Sequence, residues 1–125
     1  MKTTILIVED EATIRKVYRE ELIDNGFLVL EAKDGQEGLA LALQHQPRLI
    51  LLDILMPVMD GLSMMAKLRA KNVYGKKVPI ILLTNLSSGE EKIMASITKN
   101  EPVYYLIKSD WNLNQVIEKI KEHLV

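Results

Sequence analysis

Five short apolar runs constrain this chain more than anything else in it: Thr4–Val8, Phe27–Leu30, Leu49–Leu52, Val78–Leu83 and Val103–Ile107. Each has the length of a strand, and none alternates apolar with polar residues, so each predicts a strand covered on both faces. Between them the apolar spacing becomes helical. Ile14, Val17, Tyr18 and Leu22 mark one stripe, which Asn25-Gly26 stops. Asp34 with Glu37 opens a second helix that Pro47 ends near Gln46, and Asp60-Gly61 opens a third through Leu62, Met65 and Leu68. Ser88 with Glu91 caps a fourth through Met94 and Ile97, and Asn112 with Gln115 caps a fifth through Val116, Ile120 and Leu124. Strand then helix, five times over, predicts an α/β fold: a doubly wound five-stranded parallel sheet in the order 2-1-3-4-5, with five helices on both faces.

The chain has 125 residues, 48% of them hydrophobic, and reads as a single domain over 1–125 with no output domain in this chain. With no cysteine, a disulfide framework, a zinc–thiolate site and thiol catalysis are excluded, and a reducing, cytoplasmic setting is expected. Sixteen Lys and Arg against seventeen Asp and Glu give a formal net charge of −1, which leaves no basic surplus for a phosphate backbone. No apolar run approaches the roughly eighteen residues of a membrane helix, and MKTTILIVEDE is no signal peptide. Neither direct nucleic acid nor membrane is an expected partner.

In an open parallel sheet, ligands bind beyond the carboxyl ends of the strands, where the strand order reverses. Strand one runs into Glu9-Asp10-Glu11, strand three into Asp53, strand four into Thr84-Asn85 and strand five into Lys108-Ser109. The proposed order sets strands one and three side by side at the reversal, so Glu9, Asp10 and Asp53 are expected close together. Three such carboxylates call for a hard cation, and Mg²⁺ suits them. A metal beside a single lysine points to an anion. Asp53 is then a candidate nucleophile for a phosphoryl group, with Lys108 offsetting charge and the Thr84 hydroxyl donating to the same group.

The runs ILIVEDE, LLDILMPVMDG, LLTN and YYLIK, taken together across the whole chain, resemble the signature blocks of the receiver domain of two-component response regulators. That resemblance implies Mg²⁺-dependent phosphoryl acceptance on Asp53 from a histidine kinase or histidine phosphotransfer protein. Glu9 and Asp10 become the metal-side acids, with the backbone carbonyl of Leu55 completing the metal shell. Thr84 becomes the switch hydroxyl, Lys108 the phosphate-binding lysine and Tyr105 the aromatic that turns when Thr84 moves. A downstream protein target is expected on the face formed by Glu90 to Lys99 with Tyr104 to Lys121. Such a domain is a phosphoacceptor, not an enzyme, although it takes part in its own phosphotransfer and dephosphorylation.

Three positions depart from the family's pattern: Ser109 replaces a proline, Asn85 a small residue, and Leu55 puts an apolar side chain near the phosphoryl site. They keep open a degenerate receiver that works as an interaction module without phosphorylation. An aspartyl-phosphate phosphatase wants a second acid two residues past Asp53, where Leu55 stands. A flavodoxin-like electron carrier wants a phosphate-cradling loop after strand one, where Glu9-Asp10-Glu11 would repel phosphate. Pro57 and Asp60-Gly61 read as shapers of the loop after strand three, the methionines as gap-filling residues, and His45 and His123 as surface residues. Trp111 is either an interface anchor or a cover for its own helix.

Overall fold

The computed structural model describes residues 2–54, 56–84, 104–107 and 112–124, with Thr84 and residues 104–107 described by backbone alone. In chain order the elements are β1 (Thr4–Val8), α1 (Ala12–Asp24), β2 (Leu28–Ala32), α2 (Gly35–His45), β3 (Leu49–Asp53), α3 (Gly61–Arg69), α4 (Val73–Lys77), β4 (Ile80–Thr84), β5 (Tyr104–Ile107) and α5 (Leu113–Glu122). Four helices start by one device. Asp34, Asp60, Asn72 and Asn112 hold extended backbone just before α2, α3, α4 and α5, and each side chain accepts the N–H three residues on, at 2.7–2.9 Å. Each cap satisfies a donor that the first turn leaves unpaired, a contribution of about 1 kcal/mol. At α5 the bond is reciprocated, Gln115 Oε1 accepting the Asn112 N–H at 2.9 Å. Helix endings follow the same logic. Gln46, ahead of Pro47, takes the left-handed conformation with φ 48°, and Gly26 does so at φ 90°.

All strand pairs are parallel, in the order β2-β1-β3-β4-β5. The order reverses between β1 and β3, so the chain winds helices onto both faces. Alternate residues of β1, β3 and β4 divide between two cores. Leu6, Val8, Ile50, Leu52, Ile80 and Leu82 pack against Ala42 of α2 and Met64, Met65 and Leu68 of α3. Ile5, Ile7, Leu49, Leu51, Ile81 and Leu83 pack against Leu22 of α1 and Val116, Ile117 and Ile120 of α5. Each fully buried Leu or Ile contributes about 1.5–3 kcal/mol relative to an exposed one.

Several expectations need correction. β2 is an edge strand and only partly buried: Val29 and Leu30 pack into the two cores from opposite faces, as expected, but Leu28 is 50% exposed. Val17 lies outside the buried stripe of α1, at 47% exposed, while Leu22 alone on that helix is fully buried. The five-residue α4 was not expected, and β4 begins at Ile80 instead of Val78. His123 is half-buried, whereas His45 is exposed as expected. The helix expected through Met94 and Ile97 lies outside the described residues.

Candidate functional site

Register builds the site. Val8 pairs with Leu52 across β1 and β3, so the residues that follow them, Glu9 just past β1 and Asp53 at the end of β3, emerge at the same level of the sheet. Glu9 is 3% exposed and Asp53 7%, while Asp10 faces solvent. Carboxylate oxygens of Glu9, Asp10 and Asp53 lie within 4.8 Å of one another, and they form the one group with metal-ligand chemistry found among the described residues. Beneath them Ile7, Leu51 and Leu83 make an apolar floor, with Tyr18 alongside. The Asp10 carboxyl is pushed above its ordinary value of 3.8, first by loss of water and then by a hydrogen bond with the Glu9 carboxyl and by that group's charge. Three all-oxygen donors crowded at this range fit a small hard dication such as Mg²⁺.

The acids are braced by groups that sequence reading missed. An Arg15 NH group donates to the Glu9 carbonyl oxygen at 2.8 Å, and the same guanidinium reaches Glu31 Oε1 at 3.3 Å. Arg19 takes the other Glu31 oxygen at 3.2 Å. Arg15 therefore ties the turn after β1 to the edge strand β2. Behind Asp53 the backbone is held by close approach. A Cβ on Gly61 would collide with the Asp53 carbonyl oxygen and lie 3.0 Å from the Ile54 Cα, while the Gly61 N–H donates to Ile54 O at 2.8 Å. Only glycine lets the start of α3 come so near the end of β3. In the connecting loop the Met59 N–H donates to Pro57 O at 2.7 Å, and Met59 O accepts the Gly35 N–H at 2.9 Å. Between them Val58 is held at φ 66° with its side chain 76% exposed, an uncommon and costly conformation for a β-branched residue. Pro57 and Asp60-Gly61 thus have the loop-shaping role expected of them.

Asp53 pairs with Leu83, so Thr84 ends β4 one residue further, and its backbone partner on β5 is Ile107. Tyr105 pairs with Leu82. Leu55, Asn85, Lys108, Ser109, Trp111 and the segment from Glu90 to Lys99 lie outside the described residues.

A doubly wound parallel sheet with three carboxylates gathered at its switch point defines an α/β domain of the class in which ligand sites form at the carboxyl ends of the central strands. The chain belongs to the response regulator receiver domain family, whose model matches residues 5–121. It is 35% identical over 121 residues to the transcriptional regulatory protein SrrA of Staphylococcus aureus, an alignment covering 97% of this chain and 47% of that protein. A probable transcriptional regulator, ycf27 of Porphyridium aerugineum, is 38% identical over 92 residues, 74% of this chain and 37% of that protein. The chain thus spans less than half the length of these curated relatives. Among solved structures, the chemotaxis protein CheY4 of Vibrio cholerae superposes with a TM-score of 0.87 at 27% identity, covering 99% of this chain and all of that one. A CheY-like receiver domain protein of Methanospirillum hungatei gives 0.88 at 27% identity, covering 99% and 94%.

Proposed function

We propose that this receiver domain accepts a phosphoryl group on Asp53, with Mg²⁺ held by Glu9, Asp10, Asp53 and the Leu55 carbonyl. The observation that carries the reading is the convergence of three carboxylates on one point at the switch of the sheet. A carboxylate oxygen of Asp53 attacks the phosphorus of a phosphohistidine. The new O–P bond forms as the N–P bond breaks, and the imidazole leaves with its electron pair. Burial leaves Asp53 little access to bulk water, which limits hydrolysis of the acyl phosphate. Mg²⁺, when bound, supplies the positive charge that lets a dianionic donor approach these acids.

Lys108 is assigned to the phosphoryl group as its second countercharge, and the Thr84 hydroxyl to a hydrogen bond with a phosphoryl oxygen. Movement of Thr84 frees space for Tyr105, and repacking of the face from Glu90 to Lys99 and Tyr104 to Lys121 carries the signal to a protein target. The donor is a histidine kinase or histidine phosphotransfer protein, and the setting is the cytoplasm. No helix among the described residues is long and apolar enough to cross a membrane.

Incubation with acetyl phosphate and Mg²⁺ followed by intact mass tests the reading. One phosphoryl addition is expected, abolished by Asp53→Asn and by excess chelator. An addition that survives either treatment overturns it.

A further inference from the structure

The chain's positive charge is unevenly placed. From Gly61 to Gly89 there are five cations, Lys67, Arg69, Lys71, Lys76 and Lys77, and no Asp or Glu, in a chain of formal net charge −1. The fold carries most of this charge to the amino ends of β3 and β4, at the opposite end of the sheet from Glu9 and Asp53. Two adjoining hollows of about 370 and 520 Å³ lie there and share Val73 and Lys77. One has an apolar floor of Pro47, Tyr74, Val78 and Pro79, with Arg48 at its side. Lys71 and Lys76 line the other, and no acid lines either.

Two further observations bear on these hollows. Val73, common to both, is 71% exposed on a helix of only five residues. Arg48, Lys71, Lys76 and Lys77 are exposed too, and none makes an ion pair among the described residues, whereas Arg15, Lys16, Arg19 and Lys119 each do. The platform beneath is firm, because the Arg69 guanidinium donates to Gly75 O at 3.0 Å and Val78 O at 2.6 Å and so fastens α4 under β4.

We propose that this amino-end surface docks an acidic segment of a partner protein, with an apolar side chain of that segment seated against Val73. The lysines supply charge complementarity and the floor supplies apolar area to bury. A nucleic-acid duplex uses only the first of these, sets its phosphates against the most exposed valine of the patch, and meets a molecule with no overall basic charge. The surface lies apart from Asp53, so the proposal stands independently of phosphorylation and is tested on the unphosphorylated chain.

Fluorescence anisotropy with a fluorescein-labelled peptide of repeating Glu-Glu-Leu composition is the measurement. Saturable binding is expected, weakened at least tenfold by Lys71→Glu combined with Lys76→Glu, and weakened with unaltered salt dependence by Val73→Ser. Lys16→Glu, on the ion-paired surface of α1, should leave affinity unchanged. Backbone amide spectra verify each fold, and the milder pair Lys76→Gln with Lys77→Gln, expected to weaken binding severalfold, replaces the charge reversal if that variant misfolds. The proposal fails if binding is not saturable, or if the lysine variants bind as the parent does. It fails equally if a DNA duplex binds as tightly through the same lysines.

Discussion

The two ends of this sheet treat like charge in opposite ways. At the carboxyl end, Glu9 and Asp53 are buried beside Asp10, and the backbone around them is packed so closely that Gly61 has no room for a methyl group. At the amino end the lysines around α4 stay in water, and the packing there is closed by bonds to neutral acceptors: the Tyr74 hydroxyl donates to Pro47 O at 2.6 Å, and Arg69 to Gly75 and Val78 carbonyls. Unit charges about 4 Å apart interact by about 1 kcal/mol in water and about 4 at the effective dielectric of a protein surface. Repulsion at the amino end is therefore tolerable without a partner. At the carboxyl end, where two of the acids are buried, the same repulsion is larger, and a bound cation is expected to lower it. Like charge is crowded into cover at one end of the sheet and left in water at the other.

Gly61→Ala should break that contrast most severely. The added Cβ meets backbone, the Asp53 carbonyl and the Ile54 Cα, and backbone at the end of a central strand yields poorly. A loss of about 3 kcal/mol in urea unfolding is expected, together with weaker stabilisation by Mg²⁺ because Asp53 is displaced. Melting indistinguishable from that of the parent would mean that α3 does not press on β3 as described.

Asp53→Asn sharpens the contrast with a smaller effect of opposite sign. Removing one of three crowded negative charges should raise stability in excess chelator by about 1–3 kcal/mol at neutral pH, and should abolish most of the gain from Mg²⁺. At the amino end Tyr74→Phe should instead lower stability by about 1 kcal/mol, since the Pro47 carbonyl loses its donor in a half-buried place. Urea midpoints of the two variants, with and without Mg²⁺, test both. Equal signs would remove the distinction between the ends.

How much of this was legible in the sequence depended on whether the signal was local. The helix starts at Asp34, Asp60 and Asn112 are short-range bonds between residues three apart, and reading the sequence placed all three. The meeting of Glu9, Asp10 and Asp53 was legible because buried runs in alternation with helices leave few sheet orders, and a strand order then sets the neighbours. α4 escaped because five residues with a central glycine carry no helical period, although Asn72 three residues before Gly75 repeats the capping pattern seen elsewhere. Val17 has the spacing of a buried residue yet faces out, since period alone does not tell where on α1 the sheet ends. The reach of Arg15 to the Glu9 carbonyl and of Gly61 to Asp53 depends on how elements pack, and no residue spacing encodes it.

The smallest effect concerns Asp10, where the sign is more informative than the size. Its folded carboxyl is raised above 3.8 by lost water and by Glu9, so the native chain binds that proton more readily than the unfolded chain. The contribution to stability is fully present below the ordinary carboxylate value and is lost as pH rises through the raised one. A carboxylate held by a cation behaves in the opposite way. In excess chelator at pH 7, Asp10→Asn should therefore be slightly more stable than the parent, by about 0.5 kcal/mol or less because the group faces water. The advantage should shrink as pH falls toward 4. Saturating Mg²⁺ should reverse the order at pH 7, because the dication binds the deprotonated acid and stabilises the parent by mass action. Parallel pH profiles for the two proteins in chelator would show that Asp10 does not share its proton with Glu9, and would separate it from the pair that the buried strand ends hold together.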